Sequence, residues 1–159
     1  MGADPYFYYV DYDEDKNNAL QKLRQREFEA GRYSPVMYQW DIPFPLDNLS
    51  AAPKPGQGHR TLKEAMEDEY IMEGGTGTIL DIKKLSDKLD YASAYVIRGE
   101  ELIKYFGTDK PTREIIDENV WGFWEHISNS FGVRGVGICL TVYRNDVPTE
   151  LYFGGYSYD

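Results

Sequence analysis

Arg32, Tyr33, Trp40, His59 and Arg60 are the side chains whose types could do chemistry together. Guanidinium groups and an imidazole supply hydrogen-bond donors, and the aromatic rings supply flat faces, a combination suited to an anionic or planar ligand. These residues flank segment 41–60. A pocket under that segment would make the chain a small-molecule binding protein or a small enzyme. The same residues also have a structural reading: Arg32 follows Gly31 at a helix-to-strand corner, in reach of the helix's last carbonyls or of Glu27 and Glu29. A second set faces a protein partner instead. Glu67, Asp68 and Glu73 belong to the outer face of one helix, and Trp121 falls off the apolar stripe of another. Carboxylates steer a basic partner, and an exposed tryptophan suits an interface.

Other chemistries find less support. His59 and His126 have no second ligand at a recognised metal spacing, so no metal and no cofactor is expected. His126 belongs at the edge of an apolar stripe, bonded to backbone. Cys139 lies mid-strand in an apolar run, without a basic neighbour to lower its thiol pKa, and reads as structural. Gly74-Gly75-Thr76-Gly77-Thr78 is glycine-rich but lacks the Lys-Ser/Thr ending and preceding strand of a phosphate loop. A helix end followed by a turn explains it better. No catalytic constellation emerges, and the balance leans away from an enzyme.

The 159 residues fit one domain, 1–159, with a long irregular loop at 41–60. Seventeen Lys+Arg against 27 Asp+Glu give a formal charge of −10, which disfavours nucleic acid and anionic membrane surfaces. No apolar run approaches the ~20 residues of a membrane span, and position 6 is Tyr6 where a myristoylation signal wants Ser or Thr. One cysteine suits a reducing compartment, so a cytoplasmic location is expected. Fourteen tyrosines raise the aromatic share to 15%.

The elements that must position these groups follow from pattern. Tyr6–Val10 reads as a strand, and acidic 11–15, with Asp13 as N-cap, opens a helix closed by Gly31. Val36, Tyr38 and Trp40 alternate, which predicts a second strand over 35–40. In 41–60 four prolines forbid a helix; Ile42, Phe44, Leu46 and Leu49 should pin its first half, leaving Ser50–Gly58 mobile. Thr61 and Glu64 form a capping box for a helix with Leu62, Ala65, Met66 and Tyr70 inward, ending at Gly74-Gly75. Thr78 caps a shorter helix or begins a strand. Tyr91–Ile97 reads as strand and Glu100–Phe106 as a short helix stopped by Gly107. Ile116, Val120, Phe123, Trp124, Ile127 and Phe131 draw one stripe down a helix over 113–130. Two strands joined at Asn145-Asp146 close the chain as an antiparallel hairpin, with Pro148 at a strand start or an edge.

These elements predict an α+β single domain: a mainly antiparallel sheet with helices packed on one face and a C-terminal β-hairpin. The chain also resembles a family of small bacterial proteins of unknown function. The phrases that carry the likeness are residues 1–6, 28–35, 78–82, 108–114 and 155–159, and the resemblance implies no activity, cofactor or site residue. The favoured functional expectation is a non-catalytic, acidic interaction module, immunity-like or regulatory, that binds a basic protein. Homodimerisation through exposed aromatics such as Trp121 is compatible with either function.

Overall fold

The computed structural model describes residues 4–47, 58–130 and 132–157. Leu49, the Ser50–Gly58 half of the long segment (Gly58 apart) and Phe131 lie outside them. The chain runs β1 (Pro5–Asp11), α1 (Lys16–Glu29), α2 (Leu62–Met66), α3 (Glu69–Gly74), β2 (Lys84–Ser86), β3 (Ser93–Val96), α4 (Glu100–Phe106), α5 (Arg113–Ser130), β4 (Val136–Arg144) and β5 (Val147–Tyr156). Short 3-10 turns occupy Gln39–Asp41 and Ile79–Asp81.

The strands form one sheet in the order β1-β5-β4-β3-β2. β5 pairs antiparallel with β1 and β4, whereas β3 pairs parallel with β4 and β2. The fold is α+β, but the sheet is mixed and not mainly antiparallel. The physical reason is the connection through α4 and α5, which returns the chain to the same end of the sheet, so β4 enters parallel to β3. β2 is only three residues long, about 10 Å at ~3.3 Å per residue, so a short return suffices before β3.

Helices cover both faces, which corrects the one-face expectation. Tyr6, Tyr8, Val10, Cys139, Leu151 and Phe153 pack with Leu20, Leu23 and Phe28 of α1. Tyr9, Ile138, Leu140, Val142 and Tyr152 pack with α4 and α5 through Leu102, Phe106, Ile116, Val120, Phe123, Trp124 and Ile127. Residues 136–140 of the central strand β4 are buried throughout, as a strand covered on both sides requires.

Local chemistry sets the ends. Asp15, not Asp13, is the N-cap of α1: its carboxylate accepts from Asn18 N–H at 3.0 Å. Asp13 supports that turn by accepting from Asp15 N–H and the Asn18 amide. At the other end Gly31, at φ 71°, donates to Phe28 O and Arg32 donates to Glu27 O, the paired bonds of a Schellman cap. Residues 35–40 do not form the expected strand. Met37 N–H bonds back to Tyr33 O, and the open edge of β1 is taken instead by Leu46, whose N–H reaches Phe7 O at 3.1 Å while its O accepts from Tyr9. Ile42 and Leu46 are buried, and Phe44 meets the Tyr8 ring edge-on.

The helix expected from Thr61 is broken into α2 and α3 because Asp68 caps a fresh turn, accepting from Tyr70 N–H at 2.9 Å. Thr61 accepts from Glu64 N–H, but the Glu64 carboxylate bonds Arg60 N–H, not Thr61. The break turns Tyr70 outward, to 55% exposure. Thr78 caps only a 3-10 turn, and Leu85 falls in β2. α4, α5 and the hairpin stand where pattern placed them. Asn145 and Asp146 both take positive φ, the two-residue turn whose twist matches the flanking strands.

Candidate functional site

The structure separates Arg32 from the surface. Its side chain is 2% exposed, and Nε and Nη2 donate to the two carboxylate oxygens of fully buried Glu27 at 2.8 and 2.5 Å. Glu27 also accepts from Arg26 Nε at 3.1 Å. This fork-to-fork pair locks the corner where the chain leaves α1.

Tyr33, one residue on, points to a different partner. Its hydroxyl lies 3.0 Å from His59 Nδ1, and His59 Nε2 lies 2.9 Å from Asp68 Oδ2. Both ring nitrogens are therefore engaged, Nδ1 by the Tyr33 hydroxyl and Nε2 by the Asp68 carboxylate. Gly58 closes over this line: at φ +120°, a Cβ there would fall 2.6 Å from the Tyr33 hydroxyl. The three residues act as a clasp that joins the end of α1, the start of α3 and the chain returning from the long segment. The hydrogen bond from His59, helped by backbone N–H groups of Tyr70 and Ile71, holds the Asp68 carboxyl below its usual range. Burial pushes Tyr33 up.

A depressed Asp68 stabilises the fold above its unfolded value, near 3.8, and that contribution is lost as pH falls further. A raised Tyr33 stabilises below about pH 10, and that contribution is lost as pH rises through its folded value. Urea unfolding of Asp68→Asn is expected to show a smaller loss of stability below pH 4 than the parent, and identical acid limbs would refute the clasp.

Beside the clasp lies a groove of about 750 Å³. One wall carries Tyr38 and Trp40, whose rings stack at 4.6 Å and 11°, and Tyr70 also lines the groove. They are 51%, 77% and 55% exposed, so large aromatic surface is left uncovered where a core would have taken it. The Gln39 amide fastens the first wall to the carbonyls of Asp4 and Pro5, each at 3.1 Å. Ser34 N–H bonds Thr76 O, tying that wall to the loop Gly74–Gly77, which also lines the groove. That loop is held from within: Asp81, 2% exposed, accepts from Thr76 N–H, Thr76 Oγ1 and Gly77 N–H at 2.8, 2.8 and 3.1 Å. An internal carboxylate fills the place an external anion would take at such a nest of N–H groups.

The remaining expected site residues are spread out. Trp40 lines the groove, while the Arg60 side chain is 90% exposed with Glu64 at 3.7 Å. Glu67 and Glu73 are exposed, whereas Asp68 is shared between its cap and His59. Trp121 is half exposed on α5, 5.3 Å from Phe7 edge-on, and is not among the residues that line the groove. His126 is exposed beside Tyr105, not a core-edge residue. Cys139 is buried, and desolvation pushes its thiol up to about 12. Among the described residues no group of three His, Cys, Asp or Glu side chains could hold a metal ion, and no helix is long and apolar enough to cross a membrane.

Tyr38, Tyr70 and Asp81 are the site residues that sequence reasoning missed. Asp68 directly before an acidic-then-apolar run is an N-cap signal, and it could have exposed Tyr70 by breaking the helix. No family model, curated protein or solved structure matches the chain.

Proposed function

We propose that this chain is a non-catalytic interaction module whose groove and adjoining α2–α3 face dock a basic protein partner. One observation carries the reading: three exposed aromatic rings line a single groove, and one of them, Tyr70, is carried by the α2–α3 segment that also exposes Glu67, Glu69 and Glu73. Aromatic side chains supply most of the energy at protein interfaces, and a carboxylate rim steers a cationic partner toward them. The formal charge of −10 acts in the same direction at long range.

The test is selection from a random peptide library displayed on phage. Enrichment of Lys- and Arg-containing sequences is expected, with binding that weakens as salt rises and is lost in the double variant Glu67→Lys/Glu73→Lys. Enrichment of neutral or acidic sequences, or binding indifferent to the reversals, would overturn the proposal. Asp68 is left intact because its carboxylate is already committed to the fold.

The second reading, a small-molecule binder or small enzyme, draws support from the Tyr33–His59–Asp68 line, since an imidazole held between a hydroxyl and a carboxylate is the geometry of a general base. It is the weaker reading because Tyr33 is fully buried under Gly58 and Arg32 is bound to Glu27.

A further inference from the structure

We infer that the groove between Tyr38/Trp40 and Tyr70 is an arginine-binding slot, which takes a single guanidinium from the docking partner. The inference rests on the basic-partner reading and sharpens it to one side chain.

Three features select this occupant. The Tyr38 and Trp40 rings stack face to face at 4.6 Å and 11°, so the outer ring face of the stack is what remains for a ligand, and a planar delocalised cation covers such a face better than a tetrahedral ammonium does. Tyr70 lines the same groove from α3, whose exposed Glu69 and Glu73 supply negative charge; Asp4, also in the lining, adds another carboxylate. Guanidinium is also weakly hydrated, so leaving water for an aromatic slot costs it less than it would cost lysine. Arg134 lines the same groove and already has interactions of its own. A neutral or anionic occupant would gain nothing from the carboxylates.

The slot is preformed. Gln39 fixes one wall to the start of β1, Asp68 fixes the start of α3, and Asp81 holds the Gly74–Gly77 loop that joins them. None of these residues needs to move when a side chain enters, so little ordering entropy opposes binding.

The test uses three capped nonapeptides of one sequence, Gly and Ser with two flanking lysines, that carry arginine, lysine or citrulline at the centre. Citrulline keeps the plane and removes the charge. Binding is followed by tryptophan fluorescence and by isothermal calorimetry. The arginine peptide is expected to bind about tenfold more tightly than the lysine peptide and more tightly still than the citrulline peptide, and Trp40→Ala and Tyr70→Ala should each erase the preference. Both side chains are exposed, so their removal is expected to leave the melting temperature unchanged. Equal binding of the arginine and lysine peptides, abolished by Glu67→Lys/Glu73→Lys but indifferent to Trp40→Ala, would overturn the slot and leave the basic-partner reading standing. No binding of any peptide up to about 1 mM would overturn both.

Discussion

Arg32→Ala is expected to cost about 3–5 kcal/mol of stability, the usual penalty for removing one member of a buried ion pair. Glu27 would remain, fully buried, with a carboxylate that has lost two donors. Arg26 Nε still reaches it at 3.1 Å, which places the loss toward the lower end of that range. For a chain of this size, 1 kcal/mol corresponds to roughly 2–4 °C, so the melting temperature should fall by roughly 6–20 °C. Arg32→Lys should recover little, because an ammonium cannot make the two parallel bonds that the guanidinium makes to Oε1 and Oε2. The double variant Glu27→Leu/Arg32→Ala should be more stable than the sum of its single changes, since it leaves no buried carboxylate without its guanidinium. Denaturant titration of the parent and the four variants, Glu27→Leu alone included, decides the matter. A melting temperature unchanged in Arg32→Ala, with loss of a bound molecule instead, would return Arg32 to a ligand-binding role.

That pair was half legible. Sequence placed Arg32 just past a helix end with Glu27 and Glu29 as candidate partners, because the Gly31 cap fixes the path of the chain over those few residues. The boundaries of α5 and the hairpin at Asn145-Asp146 were legible for the same reason: each depends on a stripe or turn contained within one segment. The strand direction of β2 and β3 was not, since no local pattern says which neighbour a short apolar strand will meet. Segment 35–40 misled because alternation at Val36, Tyr38 and Trp40 mimics a strand, yet Leu46 takes the edge of β1 that β5 leaves open and the Tyr38 and Trp40 rings stay exposed.

The clasp illustrates the limit for a site. His59 is 26 residues from Tyr33 and nine from Asp68, and the three converge only because α1 and α3 pack on the same face of the sheet. Sequence grouped Tyr33 with His59 by their position at the two ends of one segment, and assigned Asp68 to a solvated helix face. The assignment failed at the break between α2 and α3, where Asp68 serves as cap and imidazole partner at once. The same break turns Tyr70 into the groove. One residue thereby accounts for two of the departures from expectation, and it links the clasp to the proposed docking surface.

Asp81→Ala should test how much of that surface is built from inside the protein. The carboxylate meets two backbone N–H groups and one hydroxyl, all buried, and alanine would leave them without their acceptor. The Thr76 hydroxyl keeps Thr78 Oγ1 at 2.8 Å as a partner, and unsatisfied buried donors cost about 1–3 kcal/mol each, so the two N–H groups put the expected loss at about 2–6 kcal/mol. Arg24 sharpens the effect. It is 8% exposed, donates to Leu80 O at 3.0 Å, and is held against the cost of burial by the Asp81 charge, so the variant would strip it of that compensation. Asp81→Asn separates the contributions: it keeps one acceptor oxygen but sets an amide N–H₂ near donors and removes the charge. It should fall between the parent and Asp81→Ala. Hydrogen exchange at Thr76 and Gly77 should accelerate in both variants, while exchange in β4 and β5 follows only the global loss. If those two amides stay protected in Asp81→Ala and stability drops by less than about 1 kcal/mol, the loop is held by its packing and not by the carboxylate. Faster exchange there with the arginine peptide still bound at full affinity would show that the aromatic walls keep their spacing without the loop. Joint loss of protection and of peptide binding is the expected result, because Ser34 reaches the groove's first wall through the same Thr76 whose N–H the carboxylate holds.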